Sequence, residues 1–232
     1  SNSIIPINVA GTNTPFALYN NTIRRIYTTG VGSHTLNAVV LPVFTSPVSV
    51  YNNTIDSVFA TAGTSTTISG VNTAATGAIT LNGNTISNMY FASNTGTSAT
   101  IHGILLQAPG DNSAVYENKI SNLYFASSAA GASAYITGVN IAAGTGYLDV
   151  YKDSVAKLYT SSTISADIRG ININNVSATV STIYQKKVSE LYPDQAAAGS
   201  SVRGILLGLN SVATVYNNFV NIDLTTAPAP AA

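Results

Sequence analysis

The chain has 232 residues, 45% of them apolar and only 8% charged, with nine basic residues balancing nine acidic ones and no cysteine. So even a balance leaves no field to attract nucleic acid or an anionic membrane, and the missing cysteines exclude disulfides and thiolate chemistry. No apolar run reaches membrane-spanning length, since the stretch from Ala38 to Phe44 is short and contains Pro42.

The first apolar segment, Ile4-Ile5-Pro6-Ile7-Asn8-Val9-Ala10-Gly11, aligns without a gap onto Ile136-Thr137-Gly138-Val139-Asn140-Ile141-Ala142-Ala143. Phe16-Ala17-Leu18-Tyr19 then matches Leu148-Asp149-Val150-Tyr151, so the sequence opens part-way through a repeating unit. The fullest copies begin at Leu18 (LYNNTIRRIY), Val50 (VYNNTIDSVF), Leu81 (LNGNTISNMY) and Val115 (VYENKISNLY). They continue at Val150 (VYKDSVAKLY), Ile183 (IYQKKVSELY) and Val215 (VYNNFVNIDL). Their shared apolar position, Ile23, Ile55, Ile86, Ile120, Val155, Val188 and Val220, recurs at intervals of 32, 31, 34, 35, 33 and 32 residues. A period this regular marks a solenoid, each repeat forming one coil.

A second register keeps step with the first: Ile68-Ser69-Gly70-Val71, Ile101-His102-Gly103-Ile104, Ile136-Thr137-Gly138-Val139, Ile168-Arg169-Gly170-Ile171 and Val202-Arg203-Gly204-Ile205, with Leu36-Asn37-Ala38-Val39 ahead of them. Short β-branched runs between polar turns read as strands, and no window carries a helical stripe. The sequence thus predicts an all-β, right-handed parallel β-helix of about seven coils, 31–35 residues and three strands each. At about 4.8 Å per coil the rod is roughly 34 Å long. Residues 1–224 form this single domain, and 225–232 form a Pro/Ala-rich tail or linker.

Stacking turns equal positions into columns. Leu18, Val50, Val115, Val150, Ile183 and Val215 are expected to be buried. Asn21, Asn53, Asn84, Asn118 and Asn218 form an amide ladder, interrupted by Asp153 and Lys186, in which Asn adopts the left-handed corner conformation and bonds from coil to coil. Tyr19, Tyr51, Tyr116, Tyr151, Tyr184 and Tyr216 form an aromatic ladder, with a second at Tyr27, Phe59, Tyr90, Tyr124, Tyr159 and Tyr192.

The segments NNTI and GNTISN, each followed by an apolar residue, resemble the repeats of right-handed parallel β-helix proteins. The resemblance covers essentially the whole chain and is greatest to the Thr/Asn-rich β-helix regions of large secreted proteins of Bacteroidetes-type bacteria. It implies a secreted surface or carbohydrate-associated protein, in keeping with the low charge and the abundance of Thr, Ser and Asn.

The residues able to do chemistry are few. Asp111 and Asp149 precede the first strand of adjacent coils and read as a solvated pair rather than as the paired carboxylates of a glycosidase. Ser69, His102, Thr137, Arg169 and Arg203 form one column, expected to face outward. Within it His102, Arg169 and Arg203 are the candidate ligand-binding residues, the two arginines placed to hold a carboxylated sugar. His102 has no second histidine beside it and His34 falls in a different loop, so neither a metal nor a cofactor is expected. Lys119, Asp153, Lys186 and Lys187 crowd around the Asn corner of three successive coils, and Asp153 between Lys119 and Lys186 reads as a local ion-pair patch of small energetic weight. Asp56-Ser57-Val58 and Asp153-Ser154-Val155 match a short O-glycosylation signal, and the irregular Ser, His, Thr, Arg, Arg column argues against ice binding.

Together these features predict a secreted structural or adhesive module of a bacterial surface protein or extracellular fibre, without catalysis. Its partners are other copies of itself, adjoining coils of a longer chain, or glycans. The uncapped, phase-shifted ends raise two rivals, a head-to-tail filament subunit and a polysaccharide-binding or polysaccharide-degrading β-helix.

Overall fold

The computed structural model describes residues 2–9, 14–61, 63–93, 98–127, 133–161, 165–174, 176–177, 180–194, 200–208 and 212–222. The Pro/Ala tail and Asp223 lie outside these residues.

Three parallel sheets run along a right-handed β-helix. The first stacks seven strands from Phe16–Tyr19 to Val212–Tyr216, and the second stacks seven from Thr22–Thr28 to Phe219–Asn221. The third runs from Asn2–Ile4 to Ser201–Gly208, with Ile7–Asn8 also pairing with its second strand, Ser33–Leu41. Each coil contributes one strand to each sheet, as the two sequence registers predict. Ile23 pairs with Ile55, Ile55 with Ile86, Ile86 with Ile120, and onward through Val155 and Val188 to Val220. Ile4 pairs with Leu36 and Ile7 with Val39, which is the phase that the opening segment implies.

The core is the set of inward columns. Val50, Ile55, Ile86, Ile68, Ile101 and Val150 are fully buried, each packed against its equivalents above and below. Phe91 stacks on Phe125 inside the rod at 5.2 Å between ring centroids. At such sites each large aliphatic or aromatic side chain contributes roughly 1.5–3 kcal/mol by leaving water.

Two features of the corners differ from expectation. The left-handed residue is the one before each ladder position, Asp153 and Lys186 included: Asn20, Asn52, Gly83, Glu117, Lys152, Gln185 and Asn217, with φ between 53° and 62°. These residues form the turn tip, and all but Gly83 are exposed. The asparagine that follows turns back into the rod, where its amide finds partners.

The second difference is in the third sheet. Its ladder pairs Ile101 with Ile136 and Ile104 with Val139 but skips the glycine between them. A Cβ on Gly103 would lie 2.6 Å from both the Gly138 carbonyl oxygen and Ile120 Cγ2, so this position folds the strand tightly over the second sheet. The bend sinks the residues just before the glycines. Ser69 and Thr137 are fully buried and His102 is 4% exposed, where an open outward face was expected.

Candidate functional site

The second sheet bends as well, by a different device. Between two inward residues such as Ile55 and Val58 lie two more, both polar except at Ala156–Lys157, and the second of them is left-handed: Arg25, Ser57, Asn88, Asn122, Lys157 and Glu190, with φ of 55–63°. The strand ladder skips this residue in every coil, for example between the Asp56–Ser87 and Val58–Met89 pairs. The doubled polar step between apolar positions is the sequence signal for this column, and reading the strand as simply alternating overlooks it.

The bend opens a groove of about 620 Å³ between the left-handed column and the second aromatic ladder, with Ser57, Asn88 and Asn122 on one side and Phe59, Tyr90 and Tyr124 on the other. A polar chain joins its lining residues Ser57, Asn88, Asn122 and Tyr159 to Asp56 and Ser87 beside it. Asp56 accepts from Ser87 Oγ at 2.9 Å, Asn88 Nδ2 at 2.6 Å and Ser57 Oγ at 3.1 Å. Asn122 Nδ2 donates to Asn88 Oδ1, and the Tyr159 hydroxyl donates to Asn122 Oδ1 at 2.6 Å. Partial burial raises the Asp56 pKa, but the three hydrogen bonds and the Arg24 charge outweigh it and leave the pKa below its ordinary value. Burial raises Tyr90 and Tyr159, reinforced by the neighbouring tyrosines. Tyr90 and Tyr124 stack at 4.9 Å, whereas Phe59 meets Tyr90 edge-on at 6.1 Å and Tyr27 is 55% exposed. Tyr27 and Phe59 line the groove beside this stacked pair.

Comparison with protein-family models, curated proteins and solved structures finds no match. The reading of this site rests on its own geometry.

The three candidate ligand-binding residues are engaged within the chain. Asp167 lies between the arginines: Arg169 donates Nε to Asp167 Oδ1 at 3.0 Å and Nη2 to Oδ2, and Arg203 Nη1 donates to Oδ1 at 3.1 Å. Ser201 Oγ adds a bond to Asp167 at 2.8 Å. Burial opposes the charge on Asp167, yet the Arg169 and Ser201 hydrogen bonds prevail and hold its pKa below the usual carboxylate value. Arg169 also sits over the Tyr135 ring at 4.9 Å and bonds the Tyr135 hydroxyl. His102 meets the edge of the same ring at 5.5 Å, and burial pushes its pKa down to about 4. The partner that two neighbouring arginines need is Asp167, signalled by its place two residues before Arg169 on the same strand face. His34 lies in a strand, Ser33–Leu41, with Nε2 facing the Gly30 carbonyl at 2.5 Å. Asp149 pairs in register with Ala114 rather than with Asp111, whose Oδ1 accepts from the Tyr147 N–H at 2.5 Å.

From Asn21 to Asp153 the amide ladder runs in one direction, each rung donating to the next. Asn53 Oδ1 accepts from Asn21 N and Nδ2, Asn84 Oδ1 from Asn53 N and Nδ2, and Asn118 Oδ1 from Asn84 N and Nδ2, all at 2.9–3.1 Å. Asp153 takes the same acceptor place for Asn118, and Lys186 Nζ contacts its other oxygen. Asn218 resumes the column by accepting from Lys186 N at 3.1 Å. Of the expected ion-pair patch of Lys119, Asp153, Lys186 and Lys187, Asp153 and Lys186 pair, and they do so inside the rod, where the small energetic weight of a solvated pair does not apply. Asp153 and Lys186 side chains are fully buried, because they occupy inward rungs, while Lys119 and Lys187 are exposed.

In the first aromatic ladder, Tyr116, Tyr151, Tyr184 and Tyr216 stack face to face at 4.7–5.0 Å with interplanar angles of 2–7°. Tyr19 and Tyr51 stack at 4.9 Å, and Asn82 leaves a one-coil gap between the two stacks. Inside a stack each ring covers its neighbour's face, so the ladder presents edges and hydroxyls outward.

Proposed function

We propose that the chain is a structural module, a rigid rod of a secreted bacterial surface protein or extracellular fibre, without catalysis of its own. The observation that carries this reading is where the polar and aromatic side chains are spent. The Asn amides, the stacked tyrosines and the Arg169–Asp167–Arg203 cluster all join one coil to the next, as a scaffold requires. Electron microscopy of the purified chain, beside its mass in dilute solution, tests the proposal. Short stiff rods, separate or joined end to end into fibres, are the expected result, the fibres marking a filament subunit. A flexible particle, or turnover of a polysaccharide by the purified chain, would overturn it.

A second reading is favoured by the groove on the second sheet. The Tyr27 and Phe59 rings lining the groove near the Asp56–Asn88–Asn122 chain suit a saccharide, which stacks an apolar ring face while its hydroxyls meet fixed acceptors and donors. Glycan screening followed by calorimetry is the test. Loss of binding in Phe59→Ala, with the fold retained, supports the groove, and unchanged binding places the ligand elsewhere.

A further inference from the structure

The ladder asks for a carboxamide at every rung: an oxygen that accepts from the preceding coil and a nitrogen that donates. Asn84 shows the full pattern, its Oδ1 accepting from Asn53 N and Nδ2 and its Nδ2 donating to the Val50 carbonyl and to Asn118 Oδ1. Asp153 supplies the oxygen, accepting from Asn118 N and Nδ2 at 2.9 Å each, but it carries no nitrogen. The nitrogen at that rung is Lys186 Nζ, in contact with Asp153 Oδ2 from the next coil. Both side chains have no exposure to solvent.

We propose that Asp153 and Lys186 become joined after folding by an amide bond between Asp153 Cγ and Lys186 Nζ, a covalent staple between the fifth and sixth coils. The product completes the ladder. Asp153 Oδ1 keeps its two donors, and the amide nitrogen stands where the nitrogen of an asparagine would.

The step balances as a simple condensation. The uncharged amine's lone pair adds to Cγ of the protonated carboxyl group and the C–N bond forms. The bond from Cγ to Oδ2 breaks, and Oδ2 leaves as water with the carboxyl proton and one proton from the nitrogen. No oxidant or co-reactant is needed. Three features of the site favour it. The two N–H groups of Asn118 point at Oδ1, where negative charge develops as the amine adds. The fold holds the reacting groups in contact, which removes the entropy cost of bringing them together. Burial favours the uncharged forms that must react, pushing Asp153 up and Lys186 down to about 8 in spite of their mutual attraction. The amide also removes two charges from a site with no solvent exposure, where a pair of ions is costly to keep.

The staple closes a loop of 33 residues. A solenoid unravels coil by coil, so a covalent tie between neighbours blocks that route. The inference does not depend on what the rod binds.

The test is the mass of the intact, folded full chain, followed by fragmentation of its proteolytic peptides. The expected result is a mass lower than the sequence mass by one water, with a branched peptide joining the segments around Asp153 and Lys186. Lys186→Met and Asp153→Ala should each restore the full mass. The decisive reading comes from the unaltered chain, so it stands even where a variant fails to fold. Full sequence mass after prolonged incubation of the folded chain overturns the proposal. So does a deficit that maps to linear peptides, as it would if Asp153 cyclised onto the Ser154 backbone.

Discussion

Asn84→Ala isolates the ladder. Asn84 is 1% exposed, and its side chain takes part in four hydrogen bonds: two accepted from Asn53 at 3.0 Å, and two donated, to the Val50 carbonyl and Asn118 Oδ1, at 2.9 Å. Truncation does not strand all of these groups. Asn53 Nδ2 still reaches the Leu18 and Tyr51 carbonyls, and Asn118 Oδ1 still accepts from Asn84 N. Asn53 N–H and the Val50 carbonyl lose their side-chain partner inside the rod. At about 1–3 kcal/mol for each buried group left unpaired, Asn84→Ala should cost about 2–6 kcal/mol. Ser49→Ala, on the outward face of the first sheet, should stay within about 0.5 kcal/mol of the parent.

The isosteric Asn84→Asp sharpens the test. It keeps the acceptor but places an oxygen where Nδ2 met the Val50 carbonyl and Asn118 Oδ1. With no lysine on the next rung, the new carboxylate must be protonated or pull water into the rod. It should be at least as destabilising as alanine at neutral pH and recover as the pH falls. Urea unfolding followed by circular dichroism measures all three variants, with unchanged m-values as the check that the unfolded state is comparable. An alanine variant as stable as the Ser49→Ala control would refute the ladder as a source of stability. An aspartate variant more stable than alanine at neutral pH would show that the acceptor alone matters.

Three further outcomes follow from the same columns. His102 has a pKa of about 4 in the fold against an ordinary 6.5, so its contribution is complete above the higher value and is lost on acidification through that window. Between pH 7 and 5 the loss should be about 2 kcal/mol in urea midpoints, absent from His102→Gln, and parallel pH curves for the two proteins would contradict it. Asn82→Tyr should fill the gap between Tyr51 and Tyr116 and stabilise the rod by about 0.5–1.5 kcal/mol, read as a raised thermal midpoint, whereas a lowered midpoint would show that the stacks are not attractive. Replacing both Arg169 and Arg203 by Ala should leave the rod folded while returning the Asp167 pKa towards its ordinary 3.8. The stability that a depressed carboxylate pKa supplies above its unfolded value, and loses as pH falls through the folded one, should then vanish from the acid limb of the unfolding curve.

The fold was legible because a stacked coil repeats its constraints. Ile55, Ile86 and Ile120 each meet the same neighbours, so the requirement for a β-branched residue recurs at the coil period and the register can be read directly from the spacing. The asparagines of the ladder were legible for the same reason. The two strand bends were harder to read, since each needs one residue out of alternation, and backbone geometry rather than side-chain chemistry selects it. Arg25, Ser57, Asn88, Asn122, Lys157 and Glu190 share a left-handed φ and no common functional group. What their segments share, except where Ala156 precedes Lys157, is two successive polar positions between apolar ones, a mark of the local break in period two.

The same contrast explains why site chemistry was harder to read than architecture. A groove or an ion pair exists in one or two coils, where nothing repeats to reinforce it, so it registers only as a departure from the column. Asp153 and Lys186 are such a departure, two charges on rungs that elsewhere carry asparagine. Exposed, they would be a solvated pair of little consequence. Their meaning changes because the preceding and following asparagines fix the rungs as inward-facing, and an inward carboxylate and ammonium must neutralise one another. In a solenoid, therefore, a break in a column takes its chemistry from the column it interrupts. The equivalents of Asp167 in the two preceding coils are Tyr135 and Thr100, and neither lies between arginines. Only with arginines at the neighbouring outward position of its own coil and the next does the carboxylate become the centre of a cluster.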